Sequence, residues 1–272
     1  MAKVGAYIKR IEIESLWSGR KHIIWDLDRH VNILSGVNGV GKSTILNRVI
    51  EDLLFHLKGT NSDMPGVTLT YYPKDATTVR FDVIRSFDRP LIHSNILEKL
   101  TDDRVATELD WQLYQLQRRY LDYQVNVGNR MISMLTSGDP TAQEKAKAEA
   151  EARTQFQDII DSLFKETGKK IVRDSNEIFL DQFGEILPPY KLSSGEKQML
   201  AILLTVLVED RQPYVLFMDE PEVSLHVEWQ QKLISLIQQL NPQVQIILTT
   251  HSPAVIMNGW LDAVTEVTDI TQ

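Results

Sequence analysis

Gly36-Val37-Asn38-Gly39-Val40-Gly41-Lys42-Ser43 decides the fold of this chain. Glycine, four residues, then Gly-Lys-Ser is the P-loop spacing. The glycines let the backbone curl until its N–H groups converge on phosphate oxygens. Val31-Asn32-Ile33-Leu34 ahead of the loop reads as a strand, and residues 43–57 behind it show helical spacing. A helix starting there adds its positive end to the same anion. Lys42 is placed to reach the β- and γ-phosphates, and Ser43 to hold Mg²⁺. Gly36, Asn38, Gly39, Val40, Gly41, Lys42, Ser43 and Thr44 form the expected nucleotide cradle.

Around this motif lies an ordinary globular composition. The chain has 272 residues, 43% hydrophobic and 24% charged, enough for one large domain or one domain carrying an insertion. Without cysteine there is no disulfide, Cys-based zinc site or thiol nucleophile. Met1 to Arg10 carries no apolar stretch suited to a signal peptide, and no window approaches the roughly 20 apolar residues of a membrane span. The expectation is a cytoplasmic protein with no membrane partner. A net charge of −8 gives nucleic-acid binding no support, although a local basic patch leaves DNA possible.

Outward from the P-loop, Tyr7 to Glu14 alternates apolar and polar like a half-buried strand, and Val67 to Tyr72 and Thr77 to Phe87 are again β-rich. The character changes near residue 95. Leu109, Leu113, Leu116, Tyr120, Tyr123 and Val127 make a heptad seam, Gly138-Asp139-Pro140 breaks it, and a second helix runs from about Thr141 to Thr167. Residues 95–167 are expected to form an antiparallel, coiled-coil-like hairpin inserted into a head made of 1–94 and 168–272. The alternative is a compact helical subdomain folded onto the body. A projecting arm of roughly 30 residues would reach on the order of 45 Å. After Ile171 the α/β pattern returns, with Val215 to Met218 and Val244 to Leu248 as short buried parallel strands.

Three further motifs carry chemistry. Leu216-Phe217-Met218-Asp219-Glu220 is an apolar strand ending in two acids. Asp219 is the expected second Mg²⁺ ligand, and Glu220 the group that polarises an attacking water. Leu192-Ser193-Ser194-Gly195-Glu196-Lys197-Gln198 opens a helix with Ser and Gly at its positive end. Thr249-Thr250-His251-Ser252 ends a strand, which places His251 on the rim where open α/β sheets bind ligands.

In this order the motifs resemble ABC-type ATPases over residues 1–94 and 168–272. Glu196, where transporters usually carry Gln, and the run Asp219-Glu220-Pro221-Glu222-Val223-Ser224-Leu225-His226 are similar to the SMC, RecF and OLD branch. The resemblance implies an α/β, ABC-type P-loop NTPase head with a mixed sheet and flanking helices. It also implies that Ser193 and Gly195, with Glu196 beside them, contact ATP held by a second copy of the chain. Ser224 to His226 becomes the D-loop and His251 a γ-phosphate switch. One element departs from the pattern: no Gln stands between Asn47 and Trp111 to serve as the Q-loop residue, so either a residue near Ser86 to Asp88 substitutes or that metal contact is missing. The Arg20-Lys21 loop is the candidate for the base or ribose.

The expected activity is ATP hydrolysis with Mg²⁺ by an ATP-dependent homodimer that drives a partner in DNA repair or phage defence. OLD proteins carry a C-terminal nuclease domain; this sequence stops soon after the His251 strand, so the effector is expected to be a separate protein. Residues 95–170 carry 11 basic and 13 acidic side chains, a net of −2, which favours a protein over DNA as the partner of the insertion. The rival readings are the nucleotide-binding subunit of a membrane transporter and an ATP-switched binding module with negligible turnover. The first requires a Q-loop Gln and a membrane-docking helical segment, and Glu220 speaks against the second.

Overall fold

The computed structural model describes residues 3–16, 19–57, 66–85, 105 and 107–272. In chain order, β1 (Val4–Gly5), β2 (Tyr7–Leu16), β3 (Lys21–Asp26) and β4 (Val31–Ser35) lead into α1 (Lys42–Leu57). Next come β5 (Val67–Tyr72), β6 (Thr78–Val79) and β7 (Phe81–Arg85), then the long helices α2 (Glu108–Thr136) and α3 (Ala142–Leu163). Three short strands, β8 (Lys169–Ile171), β9 (Leu180–Gln182) and β10 (Glu185–Leu187), precede α4 (Ser194–Val208). The chain ends with β11 (Tyr214–Asp219), α5 (Val227–Leu240), β12 (Val244–Thr249), the single-turn α6 (Pro253–Ile256) and β13 (Val264–Glu266). The described residues fall into two compact units, one drawn from 1–86, 212–234 and 243–272, the other from 87–211 and 235–242.

The first unit holds a five-stranded parallel sheet in the order β13-β4-β12-β11-β7. All six residues of β12 are buried, as are Tyr214 to Met218 of β11. Apolar runs without alternation are what a parallel strand covered on both faces needs. Ile45, Leu46, Val49, Ile50 and Leu53 of α1 join Val215, Phe217 and Ile247 in one apolar cluster. A separate antiparallel sheet, β3-β2-β5, adds Ile8, Ile11 and Ile13 to it. The β2–β5 register shifts between Ile8 and Arg10, which lets Ile8 and Ile11 face the core despite their odd spacing. Register also sets up the site. Leu34 lies opposite Thr249, and Thr249 opposite Asp219, so β4, β12 and β11 end level with one another.

The second unit contains the segment expected as an arm at 95–167, of which 105 and 107–167 are described. α2 packs along α3 and along α4, and the seam residues Leu109, Leu113, Leu116, Tyr120, Tyr123 and Val127 are all buried. The reason lies in α4: Glu196 to Leu207 is buried without a break, so this helix needs cover on every side. Polar pins extend the packing. Arg130 reaches Glu149 at 2.8 Å and Asp210 at 2.8 Å, Arg119 pairs with Glu209, and Arg153 donates to the Tyr120 hydroxyl at 3.1 Å. The compact unit therefore takes in 168–211 as well, and the helical pair is its wall. Cutting out Asp102 to Glu166, a change a free arm would tolerate, strips α4 of that cover. Among the described residues, no helix is long and apolar enough to cross a membrane.

Tyr120 is 1% exposed, so Tyr120→Ala should cost about 3–5 kcal/mol of stability in urea unfolding. Tyr120→Phe, which loses only the bond from Arg153, should cost about 1 kcal/mol. A near-neutral Tyr120→Ala would restore the projecting arm.

Candidate functional site

β4 ends at Ser35 and α1 begins at Lys42, with the P-loop between them. Gly36 takes φ 148°, and a Cβ there would come within 2.9 Å of Val40 Cγ1. The first glycine is thus required by backbone angle and by space together, and Gly41 is again left-handed at φ 105°. Asn38, Gly39, Gly41, Lys42, Ser43 and Thr44 line a cavity of about 460 Å³ together with Glu220 and His251. Gly36 and Val40 shape the loop behind that lining. Arg20, in the turn before β3, and Lys21, its first residue, are not part of that lining. The substitute sought at Ser86 to Asp88 lies outside the described residues.

Lys42 is buried, and its Nζ lies 3.0 Å from Gly36 O, 3.4 Å from Val37 O and 2.6 Å from His251 Nε2. An ammonium only donates, so His251 Nε2 accepts here and the imidazole proton sits on Nδ1. Glu220 Oε1 stands 3.2 Å from the same nitrogen. Two acceptors make no bond, so that approach becomes a hydrogen bond only when Lys42 draws back and a proton stands on Nε2. His251 therefore answers to Lys42 or to Glu220, but not to both at once.

Asp219 closes β11. Its Oδ1 accepts the hydroxyls of Ser43 at 2.8 Å and Thr249 at 2.5 Å. A hydroxyl in the first turn after a phosphate loop and a carboxylate beside it are the hard oxygen donors that suit Mg²⁺, which keeps several waters and the substrate phosphates for its other positions. Glu220 follows at φ 47°, a conformation that costs a non-glycine residue roughly 1–2 kcal/mol. Its N–H is held by Thr249 O at 3.0 Å and Thr249 Oγ1 at 3.1 Å. The strained turn aims the Glu220 side chain into the cavity instead of along the strand.

Two residues with no role in the sequence reading tie the site together. The buried Glu222 accepts the Thr250 hydroxyl and, at 3.1 Å, the His251 N–H on one carboxylate oxygen. Gln230 on α5 donates to Leu225 O at 2.8 Å and accepts the Ser252 hydroxyl at 2.6 Å. Both neighbours of His251 are thereby bonded to the segment that contains Ser224 to His226. The third acid of Asp219-Glu220-Pro221-Glu222 was the only trace of this in the sequence, and Gln230 left none.

A second constellation belongs to the helical unit. Ser193 caps α4: its hydroxyl accepts from Glu196 N at 3.4 Å, while Glu196 Oε2 takes the Ser193 N–H and O–H, each at 3.0 Å. Glu196 Oε1 receives Lys169 Nζ at 2.9 Å and the Thr167 hydroxyl at 3.0 Å. Burial pushes the Glu196 carboxyl up, but the bonds from Lys169, the Ser193 amide, Thr167 and the Ser193 hydroxyl outweigh it and hold it below the usual glutamate value. Ser193 and Ser194 are exposed and Gly195 half-buried, so the first turn of this helix presents its N–H groups outward.

Comparison with known proteins follows the same lines. The family model described as "AAA domain, putative AbiEii toxin, Type IV TA system" matches residues 70–258. Retron Ec83 probable ATPase of Escherichia coli is 32% identical over 97 residues, 32% of this chain and 18% of that protein. Septu protein PtuA of Bacillus thuringiensis is 38% identical over 84 residues, 26% of this chain and 21% of that one. The chain thus matches about a fifth of the length of these relatives. Among solved structures, the SmcHead bound to the C-winged helix domain of ScpA aligns at a TM-score of 0.52 and 14% identity, covering 93% of this chain and 91% of that one. At that identity the likeness concerns the fold, and it is the ABC-type head fold that the motifs implied.

Glu222→Ala leaves two donors unanswered in a buried place and should cost about 2–3 kcal/mol in urea unfolding. Glu222→Gln keeps an acceptor oxygen and should cost less than about 1 kcal/mol. Equal losses would mean that these two bonds are not what the carboxylate supplies.

Proposed function

The chain belongs to the AAA-domain family whose model spans 70–258, an SMC/ABC-like group of P-loop ATPases, and from that premise we propose that it hydrolyses ATP with Mg²⁺ in a dimer of two copies. One observation carries the reading. Lys42, Ser43, Glu220 and His251 line one cavity, with Asp219 bonded to Ser43 at its base, although they come from three separate stretches of sequence.

Each side chain has a task that its geometry suits. Lys42 grips the β- and γ-phosphates and in doing so releases His251, because its protons are otherwise committed to Gly36 O, Val37 O and that ring. Ser43 and Asp219 hold Mg²⁺, which supplies charge neutralisation when bound. Glu220 orients the attacking water and draws on its proton, and His251, freed from Lys42 and carrying its proton on Nε2, donates to a γ-phosphate oxygen. Catalysis here is positioning and electrostatics, as phosphoryl transfer generally is. Ser193 and Gly195 complete the site from the second copy: an exposed helix N-terminus with a hydroxyl at its cap is suited to a phosphate it does not itself bind through the P-loop.

The product of this cycle is a change in association that a separate effector protein reads. Of the two settings implied by the motifs, DNA repair and phage defence, relatives named for the retron and Septu systems support the second.

The variants divide the roles. Lys42→Ala should abolish ATP binding. Glu220→Gln should bind ATP as the parent does and hydrolyse it at least about 100-fold more slowly. A Glu220→Gln variant that loses binding as completely as Lys42→Ala would show that Glu220 is misassigned. With ATP, Glu220→Gln should be a dimer by light scattering, and adding Ser193→Arg should return it to a monomer that still binds ATP. A monomer at saturating ATP in the Glu220→Gln background counts against the clamp.

A further inference from the structure

A carboxylate at position 196 poses an electrostatic problem. Ser193 Oγ lies 3.0 Å from Glu196 Oε2. A phosphate oxygen that accepts the Ser193 hydroxyl therefore comes within roughly 5–6 Å of that carboxylate, two hydrogen-bond lengths away. Triphosphate and carboxylate repel each other, and a half-buried setting weakens the repulsion far less than water does. Glu196 is 4% exposed and ionised, so the charge must be answered inside the protein.

Lys169 answers it. The residue is 9% exposed, stands on β8 opposite Gln182 of β9, and places Nζ 2.9 Å from Glu196 Oε1 across 27 positions of sequence. Its neighbour Lys170 is exposed. Two adjacent lysines of one strand thus have opposite fates, and the buried one faces the only carboxylate that touches Ser193 among the described residues. Thr167 fills the remaining site on Oε1, and Gln182 fixes the Thr167 carbonyl at 2.8 Å. The outcome is a carboxylate whose orientation is set by four donors and whose charge is cancelled by one.

We propose that Lys169 is a positioning residue of the phosphate-contacting motif at Ser193 to Glu196. It neutralises Glu196 and locks its rotamer, so that Ser193 can turn its hydroxyl from Glu196 to the γ-phosphate of a second copy while its N–H stays on Glu196. This rests on the clamp reading above. On that reading a Gln at 196 needs no such lysine, whereas a Glu does.

The test is a series ordered by charge in the Glu220→Gln background, reading the protein concentration at half-dimerisation with saturating ATP. The parent and the double variant Lys169→Met with Glu196→Gln are both neutral at the motif and should dimerise alike. Lys169→Met leaves one negative charge and should need on the order of tenfold more protein. Glu196→Gln leaves one positive charge and should need on the order of tenfold less. A merely structural pair would weaken the dimer in both single variants. If Lys169→Met fails to fold, the comparison of Glu196→Gln with the parent decides alone, and a Glu196→Gln dimer no tighter than the parent overturns the inference. A parent that dimerises while the variants ignore charge overturns this inference only; a parent that stays monomeric overturns it together with the clamp.

Discussion

The level ending of three parallel strands is the constraint on which the nucleotide site depends. β4, β12 and β11 stop at matched register positions, and a single carboxylate oxygen, Asp219 Oδ1, fastens the result by accepting hydroxyls from Ser43 and Thr249. Slide any strand by one residue and every side chain on it changes face, so the buried runs of β11 and β12 hold the register as firmly as they hold the core. The P-loop, the Asp-Glu turn and the His251 loop then leave from one edge because the strands give them no other place to start.

From that edge the chemistry follows by competition for donors. Lys42 is saturated by two loop carbonyls and His251, and the His251 nitrogen that serves it is the one Glu220 approaches. A phosphate that drew Lys42 toward it would free that nitrogen without moving the backbone. What holds the backbone is Glu222, whose bonds to Thr250 and His251 tie the loop after β12 to the turn after β11. Rigid loop and movable side-chain partner are separate provisions.

Local signals were legible in the sequence and distant pairings were not. The P-loop, the acids at the end of β11 and the strand-end histidine each announce themselves within eight residues. The seam from Leu109 to Val127 was legible too, but a seam states only that a face is buried and says nothing of what buries it. A hairpin needs only the returning helix as its partner, whereas α2 also covers α4. Glu222, Gln230 and Lys169 escaped for one reason: each acts on residues more than 20 positions away, apart from Gln230's bonds to the carbonyls of Glu222 and Leu225. No periodicity records such bonds.

The helical unit poses a problem of orientation, and its buried charges resolve it. A helix as uniformly apolar as α4 has no preferred face, so burial alone lets it rotate about its axis at little cost. Its first turn carries Glu196 and Lys197 side by side, of opposite sign and both buried. Glu196 pairs with Lys169 on β8, and Lys197 pairs at 2.7 Å with Asp110, in the first turn of α2. Adjacent helix residues point about 100° apart, so two pairs to two different elements fix the rotation. Breaking either one strands a buried charge, which costs far more than the pair itself contributes. Ser193, one turn before them, inherits that fixed direction. The ions at the start of α4 therefore add little net stability, and their value lies in deciding which way the cap of this helix faces.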